Sequence, residues 1–212
     1  MSLTPDLFGI SSALQDLPIA GAEIQWTPSL FSTPESARLF DALYRSIAWR
    51  QEDILLFGRH IPQPRLTAWH GDADAHYRYS GLALTPAPWT DVLQQIRQRV
   101  EEVTQAHYNS VLLNLYRDGR DSMGWHSDDE AELGAAPTIA SLSLGAPRSF
   151  RLKPKRRSGA KIISLELTSG SLLVMRGETQ AHYVHAVPRD PRVTAPRINL
   201  TFRMIMNVRK AR

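Results

Sequence analysis

The chain contains no cysteine. Disulfides, iron–sulfur clusters, thiolate zinc sites and cysteine nucleophiles are therefore excluded. His, Asp, Glu and Tyr remain as the possible metal ligands. Long apolar runs are missing too: no stretch approaches the roughly 20 residues that span a bilayer, so no membrane partner is expected. The opening residues, MSLTPDLFGISSALQDLPIAG, hold no basic segment followed by an apolar one, and no secretory signal is expected. An intracellular protein is expected, cytoplasmic in a bacterium and nuclear in a eukaryote, acting as a monomer. Internal repeats and low-complexity linkers are absent as well.

What is present is an ordinary globular balance: 212 residues, 42% hydrophobic and 22% charged. That length suits one domain, 1–212, divided into an N-terminal extension to about residue 108 and a core from about 109 to 207. The 25 Lys+Arg against 21 Asp+Glu give a net charge of +4, a weak pointer to polyanions. Distribution says more, because RLKPKRR, Arg151 to Arg157, holds five cations in seven residues. A solvated turn is the bland alternative for that segment.

Thr33-Pro34-Glu35 reads as an N-cap followed by Pro, and Phe40, Leu43, Tyr44 and Ile47 recur at helical spacing, predicting a helix over about 34–48. A second helix is expected after Pro88, with Trp89, Val92, Leu93, Ile96, Val100 and Val103 on one face. From Asn109 the texture becomes short runs rich in Val, Ile, Leu and Thr: NSVLLNLY, TIASLSLG, SFRLK, KIISLEL, GSLLVM, HYVHAVP and RINLTFRMI. The expected fold class is α+β, a jelly-roll core with two backing helices. Residues of about 53–84 read as hairpins and loops covering one end.

Strands send alternate side chains to opposite faces. Arg197, Asn199, Thr201 and Arg203 therefore share one face, a row of donors suited to a carboxylate or phosphate, while Ile198, Leu200, Phe202 and Met204 share the other. Asn114 and Tyr116 likewise oppose Val111, Leu113 and Leu115. In MGWHSDDE, His126 and Asp128 are two apart, so an extended backbone points both the same way, and Asp129 away. A third ligand is offered by HYVHAVP, where the odd separation of His182 and His185 puts them on opposite faces. His185 lies within the strand and His182 at its mouth, which selects His185. Two imidazoles and a carboxylate leave coordination positions open, the arrangement of non-haem Fe(II) oxygenases. Arg197, with Asn114 and Tyr116, offers a carboxylate dock for the co-substrate such iron requires.

These residues resemble the AlkB family of Fe(II)- and 2-oxoglutarate-dependent dioxygenases, which repair alkylated nucleic acid bases. The likeness runs from about Asp53 to Met204 and is densest in NSVLLNLYRDGRDSMGWHSDDE and APRINLTFR. It implies a double-stranded β-helix core with an N-terminal substrate-recognition lid. It implies that His126, Asp128 and His185 bind Fe(II), and that Asn114, Tyr116, Asn199, Thr201 and Arg203 hold 2-oxoglutarate, with Arg197 on the far carboxylate. The implied reaction consumes O2 and 2-oxoglutarate, hydroxylates the N-methyl group of bases such as 1-methyladenine and 3-methylcytosine in DNA, and releases formaldehyde. No cysteine acceptor is needed.

A base inside a duplex is unreachable, so the substrate must be single-stranded or flipped out. The resemblance implies Tyr79, with Tyr77 beside it in YRYSGL, as the stacking aromatic, and Glu130 as the residue reading the base edge. It implies Phe57 as the finger filling the vacated stack and Arg65 in QPRLTAW as a substrate-side arginine. Packing is the plain alternative for Tyr79 and Phe57. Lys153, Lys155, Arg156 and Arg157 are expected to contact phosphates. The stretch from Arg189 to Arg192 departs from the three consecutive basic residues of double-strand-acting relatives, and strand preference stays open. The alternatives are the same chemistry on RNA or on a methylated protein side chain, and a non-catalytic binding module.

Overall fold

The computed structural model describes residues 13–206 apart from 57, 76, 80–81 and 157–160, and describes no side chains for 54–56, 59, 77–79 and 82–84. Phe57 and Arg157, and the side chains of Tyr77 and Tyr79, thus lie outside the described residues. In chain order, β1 (Gln15–Leu17) and β2 (Glu23–Thr27) precede helix α1 (Thr33–Ser46). Five short strands follow: β3 (Asp53–Leu56), β4 (Arg59–Pro62), β5 (Leu66–Gly71), β6 (Tyr77–Tyr79) and β7 (Leu82–Leu84). After α2 (Asp91–Thr104) come β8 (Ser110–Tyr116), β9 (Met123–His126), β10 (Ile139–Gly145), β11 (Arg148–Pro154), β12 (Ile163–Leu167) and β13 (Leu172–Arg176). The short helix α3 (Thr179–His182) leads into β14 (Tyr183–Val187), and β15 (Arg197–Arg203) follows.

Both long helices begin where local chemistry satisfies their first N–H groups. Ser32, not Thr33, is the N-cap of α1: Glu35 Oε2 accepts from its backbone N–H at 2.9 Å, and Pro34 falls in the first turn, where no N–H is needed. Thr90 caps α2, its Oγ1 accepting from the Leu93 N–H at 3.3 Å, so the helix starts two residues later than Trp89. It ends at Gln105, which is left-handed at φ 52°.

The strands form a seven-stranded antiparallel sheet, β1-β2-β13-β10-β15-β8-β5, facing a four-stranded one, β12-β11-β14-β9. All seven expected runs became strands. The middle stretch differs from expectation in one respect: β3–β4 and β6–β7 are the anticipated hairpins, but β5 is an edge strand of the large sheet, paired with β8 from Leu66↔Leu115 to Gly71↔Ser110. Alternation explains why the helices lie where they do. Val111, Leu113, Leu115, Leu142, Leu144, Ile198, Leu200 and Phe202 point outward, where Leu43, Ile47, Leu93, Ile96 and Val100 cover them. Each such side chain, fully buried, contributes about 1.5–3 kcal/mol. Met204, expected on that face, lies past the end of β15 and is 40% exposed.

The opposite face of the large sheet turns toward the small one. An apolar cluster of Ile24, Ile139, Phe150, Leu152, Leu173, Met175 and Val187 seals one part of the space between them. The remainder is polar and buried: Asn114, Ser141, Ser143, Arg197, Asn199 and Thr201 are each 8% exposed or less. Among the described residues, no helix is long and apolar enough to cross a membrane.

Candidate metal centre and carboxylate dock

Register brings the ligand candidates together. His126, the last residue of β9, pairs directly with His185 of β14, and their ring centroids are 4.2 Å apart. Asp128 lies beyond the end of β9, so the pairing that orients His126 does not orient it. Two other elements do: Gln180 Oε1 of α3 accepts the Asp128 backbone N–H at 2.9 Å, and Arg203 Nη2 of β15 donates to Oδ1 at 2.6 Å. The candidate ligand atoms of His126, Asp128 and His185 lie within 4.8 Å of one another.

The donor atoms suit a cation. His126 Nδ1 is 2.9 Å from the Gly124 carbonyl, which can only accept, so Nδ1 is the donor there and Nε2 is the ring atom left to act as a ligand. Burial, with His126 adding to it, pushes the His185 imidazole down to about 3 against the pull of Asp128, leaving it neutral. Burial alone would raise the Asp128 carboxyl, but Arg203, then His185 and His126, hold it below the ordinary value. Two imidazoles and one carboxylate make a donor set that fits Fe(II) with positions left open. His182 is exposed at the end of α3, its Nε2 3.2 Å from Glu178 Oε2, and takes no part in the cluster.

The donor row begins beside this cluster with Arg203, on Asp128, and ends at the other end of β15 on Arg197, 2% exposed and opposite Tyr116 in register. Its Nη2 donates to Ser143 Oγ at 2.9 Å, whereas Nε and Nη1 are buried without a partner among the described residues, as is Arg203 Nε. Burial pulls the Arg197 guanidinium below its ordinary value. Unpaired buried donors are costly, and an anion supplied from outside the chain would satisfy them. A dicarboxylate such as 2-oxoglutarate therefore fits. Asn199 and Thr201 are less free than alternation alone suggests: Asn199 Nδ2 donates to Ser141 Oγ and the Leu142 carbonyl, and Thr201 Oγ1 donates to Asn199 Oδ1.

The expected substrate residues fall into three groups. Glu130, two residues past Asp128, is half-buried with Oε2 lacking a partner among the described residues. Arg65, expected on the substrate side, is 8% exposed, and its Nε donates to Asn114 Oδ1 at 2.8 Å, because β5 runs beside β8 and brings its lead-in residue against that strand. Lys155 Nζ is 2.7 Å from Asp129 Oδ2, Lys153 Nζ sits 4.3 Å from the Trp125 ring centroid, and Arg156 is exposed. Gln180, Ser141, Ser143 and Arg148 were not singled out from sequence. The serines carried a signal, since they alternate with Leu142 and Leu144 in TIASLSLG; Gln180 carried none.

The model of a family described as the 2OG-Fe(II) oxygenase superfamily matches residues 23–203. The mouse protein "DNA oxidative demethylase ALKBH2" is 41% identical over 190 residues, covering 85% of this chain and 80% of that protein. Mouse "Alpha-ketoglutarate-dependent dioxygenase alkB homolog 3" is 40% identical over 186 residues, covering 84% of this chain and 64% of its own length. Among solved structures, "The structure of OsALKBH1" aligns with a TM-score of 0.65 at 16% identity, over 90% of this chain and 99% of that one, which is a likeness of fold.

Proposed function

The chain belongs to the 2OG-Fe(II) oxygenase superfamily, and on that premise we propose that it is an oxidative demethylase of N-alkylated bases in DNA, 1-methyladenine and 3-methylcytosine among them. One observation carries the reading: a His-Asp-His cluster within 4.8 Å at one end of an inward-facing donor row whose other end, Arg197, has buried donors unpaired among the described residues. The roughly 40% identity to proteins named for DNA demethylation and 2-oxoglutarate use supports the substrate class.

In this reading His126, Asp128 and His185 hold the metal. With 2-oxoglutarate and O2, bound iron supplies the oxidising power that hydroxylates the N-methyl carbon. The chain's own residues hold the geometry. Gly124 presents Nε2 of His126, Arg203 keeps Asp128 anionic, and burial keeps His185 neutral. Arg197 takes the far carboxylate, beside Tyr116 and Asn114, and Arg65 steadies the Asn114 amide. Glu130 reads the edge of the flipped base through its unpaired Oε2. Tyr77 and Tyr79 are the aromatics proposed to stack on the flipped base, and Phe57 the one proposed to fill the vacated stack. The protein works as a monomer wherever the cell keeps its DNA.

The test is anaerobic loading with Fe(II) and 2-oxoglutarate, then exposure to O2 with oligonucleotides carrying 1-methyladenine or 3-methylcytosine. DNA single strands, DNA duplexes and RNA are compared. Formaldehyde and succinate formed in equal amounts on DNA support the proposal. Release on RNA alone, or succinate without formaldehyde from any nucleic acid, would move the substrate to RNA or to a protein side chain.

A further inference from the structure

Arg148, the first residue of β11, is 3% exposed yet hydrogen-bonds to no carboxylate. Its Nη1 donates to the Asp118 carbonyl at 3.2 Å, and its Nη2 to those of Asp121 and Pro188 at 2.8 and 2.6 Å. Those carbonyls belong to two loops, one after β8 and one after β14. The loops meet at Gly119, where a Cβ would come within 1.7 Å of the Asp190 carbonyl oxygen, so only glycine fits. The acids nearby are committed elsewhere: Asp118 to Arg120, Asp121 to Arg117 and Asp190 to Arg192.

The Arg148 guanidinium carbon lies 5.4 Å from the centroid of the Tyr116 ring, and that of Arg197 lies 5.2 Å from the same centroid. Two buried guanidinium groups thus share one ring. The ring's π-face attracts each cation, but the two repel one another in a region of low dielectric. Arg148 adds to the effect of burial in pulling the Arg197 guanidinium below its ordinary value. Arg148 Nε, like Arg197 Nε and Nη1, is buried without a partner. Asp190, Asp121 and Asp118 offset part of the Arg148 charge, whereas the donors that Arg197 leaves unpaired among the described residues favour an anion from outside the chain.

We propose that Arg148 is a positioning residue for 2-oxoglutarate: it clasps the two loops, fixes the Tyr116 ring against Arg197, and adds a second buried positive charge to the subsite for the far carboxylate. The proposal rests on Arg197 being that carboxylate's partner. Its role is distinct from that of Arg197, because it acts through Tyr116 and through charge rather than by contact.

The test measures equilibrium binding by tryptophan fluorescence, on protein loaded with Mn(II) in place of iron. The probes are 2-oxoglutarate and oxalate, which has adjacent carboxyl oxygens but no far carboxylate. Arg148→Met should weaken 2-oxoglutarate binding about tenfold, or about 1.4 kcal/mol, and leave oxalate binding unchanged. Arg148→Lys, which keeps the charge and is the more certain to fold, should recover part of the loss. Parallel weakening of both probes, or no weakening of either, overturns the proposal. Arg197→Ala is the control: if it too leaves 2-oxoglutarate affinity unchanged, the dock itself lies elsewhere.

Discussion

The side-chain oxygen of Gln180 accepts the backbone N–H of Asp128 at 2.9 Å, while its amide nitrogen rests 3.2 Å from Met175 Sδ. Gln180 lies five residues before His185, so one chain segment supplies an imidazole to the cluster and also holds the backbone of the carboxylate. Asp128 has no strand pairing to do this, because β9 ends at His126. Gln180→Leu, close in volume but unable to accept, should therefore weaken metal affinity roughly 10- to 100-fold, the range expected when a ligand's support is removed. Anaerobic titration with Co(II) or Mn(II) reads this directly. Unchanged affinity would mean that Arg203 alone is enough to hold Asp128.

The choice between the two histidines of HYVHAVP is open to a direct comparison. His185→Ala should abolish metal binding and turnover while the protein stays folded, since its imidazole is buried against His126 and Phe150 but is not hydrogen-bonded through Nδ1. His182→Ala removes an exposed side chain whose partner, Glu178, is exposed too, a pairing worth at most about 1 kcal/mol. Metal binding measured on both variants separates them, and loss in His182→Ala with retention in His185→Ala would reverse the assignment.

Much of this was legible because it follows from period two. Arg197, Asn199, Thr201 and Arg203 face inward and Ile198, Leu200 and Phe202 outward, as alternation requires, and the helices cover the apolar side. The same rule placed Asp128 beside His126 for an incomplete reason. The strand stops at His126, and Asp128 is turned toward it by Gln180 and Arg203, residues distant in sequence whose contacts no local pattern encodes. β1 and β2 were overlooked because QDL and EIQWT are short and stand apart from the strand-rich half, although Ile24 and Trp26 do alternate with Glu23 and Gln25. The bond from Arg65 to Asn114 was not legible, because the edge position of β5 depends on which strand it pairs with, and pairing is not written in QPRLTAW itself.

Acid should loosen the loop that Arg148 clasps. Asp121 accepts from the Arg117 backbone N–H at 2.9 Å and from its Nε and Nη2 at 2.8 Å. Burial alone would raise the Asp121 carboxyl, but the hydrogen bonds and charge of Arg117 outweigh it and hold the group below its ordinary value. A carboxylate whose folded pKa is depressed contributes stability above the unfolded value, near 3.9, and loses it as pH falls through the folded value. Asp121→Asn should therefore cost roughly 1.5–3 kcal/mol at pH 7, the range for hydrogen bonds to a charged group, and much less once the carboxylate is protonated. Urea unfolding at pH 7 and below pH 3 measures both, and an equal cost at the two values would remove charge from the explanation.

The cations of the basic segment at the end of β11 have weak local partners. Lys155 is paired with Asp129 at 2.7 Å and Lys153 lies over the Trp125 ring, while Arg156 is exposed. Neither local partner immobilises its cation strongly: a partly exposed ion pair is worth about 1 kcal/mol or less, and an exposed cation–π contact about the same. Both lysines are thus available to phosphate oxygens. Each phosphate neutralised changes the slope of log affinity against log salt by roughly −0.9 on duplex and −0.7 on single strands. Replacing Lys153, Lys155, Arg156 and Arg157 together by Ala should flatten that slope by about two to three units. Asp129→Ala should do the opposite, because it frees Lys155 and removes a negative charge near the strand, steepening the slope by up to about one unit. Fluorescence anisotropy with labelled single-stranded and duplex oligonucleotides, over a range of salt, reads both variants. If the slopes of the wild type and the fourfold variant coincide, the segment is a solvated turn, and the Lys155–Asp129 pair serves only to tie it to the loop that carries Asp128.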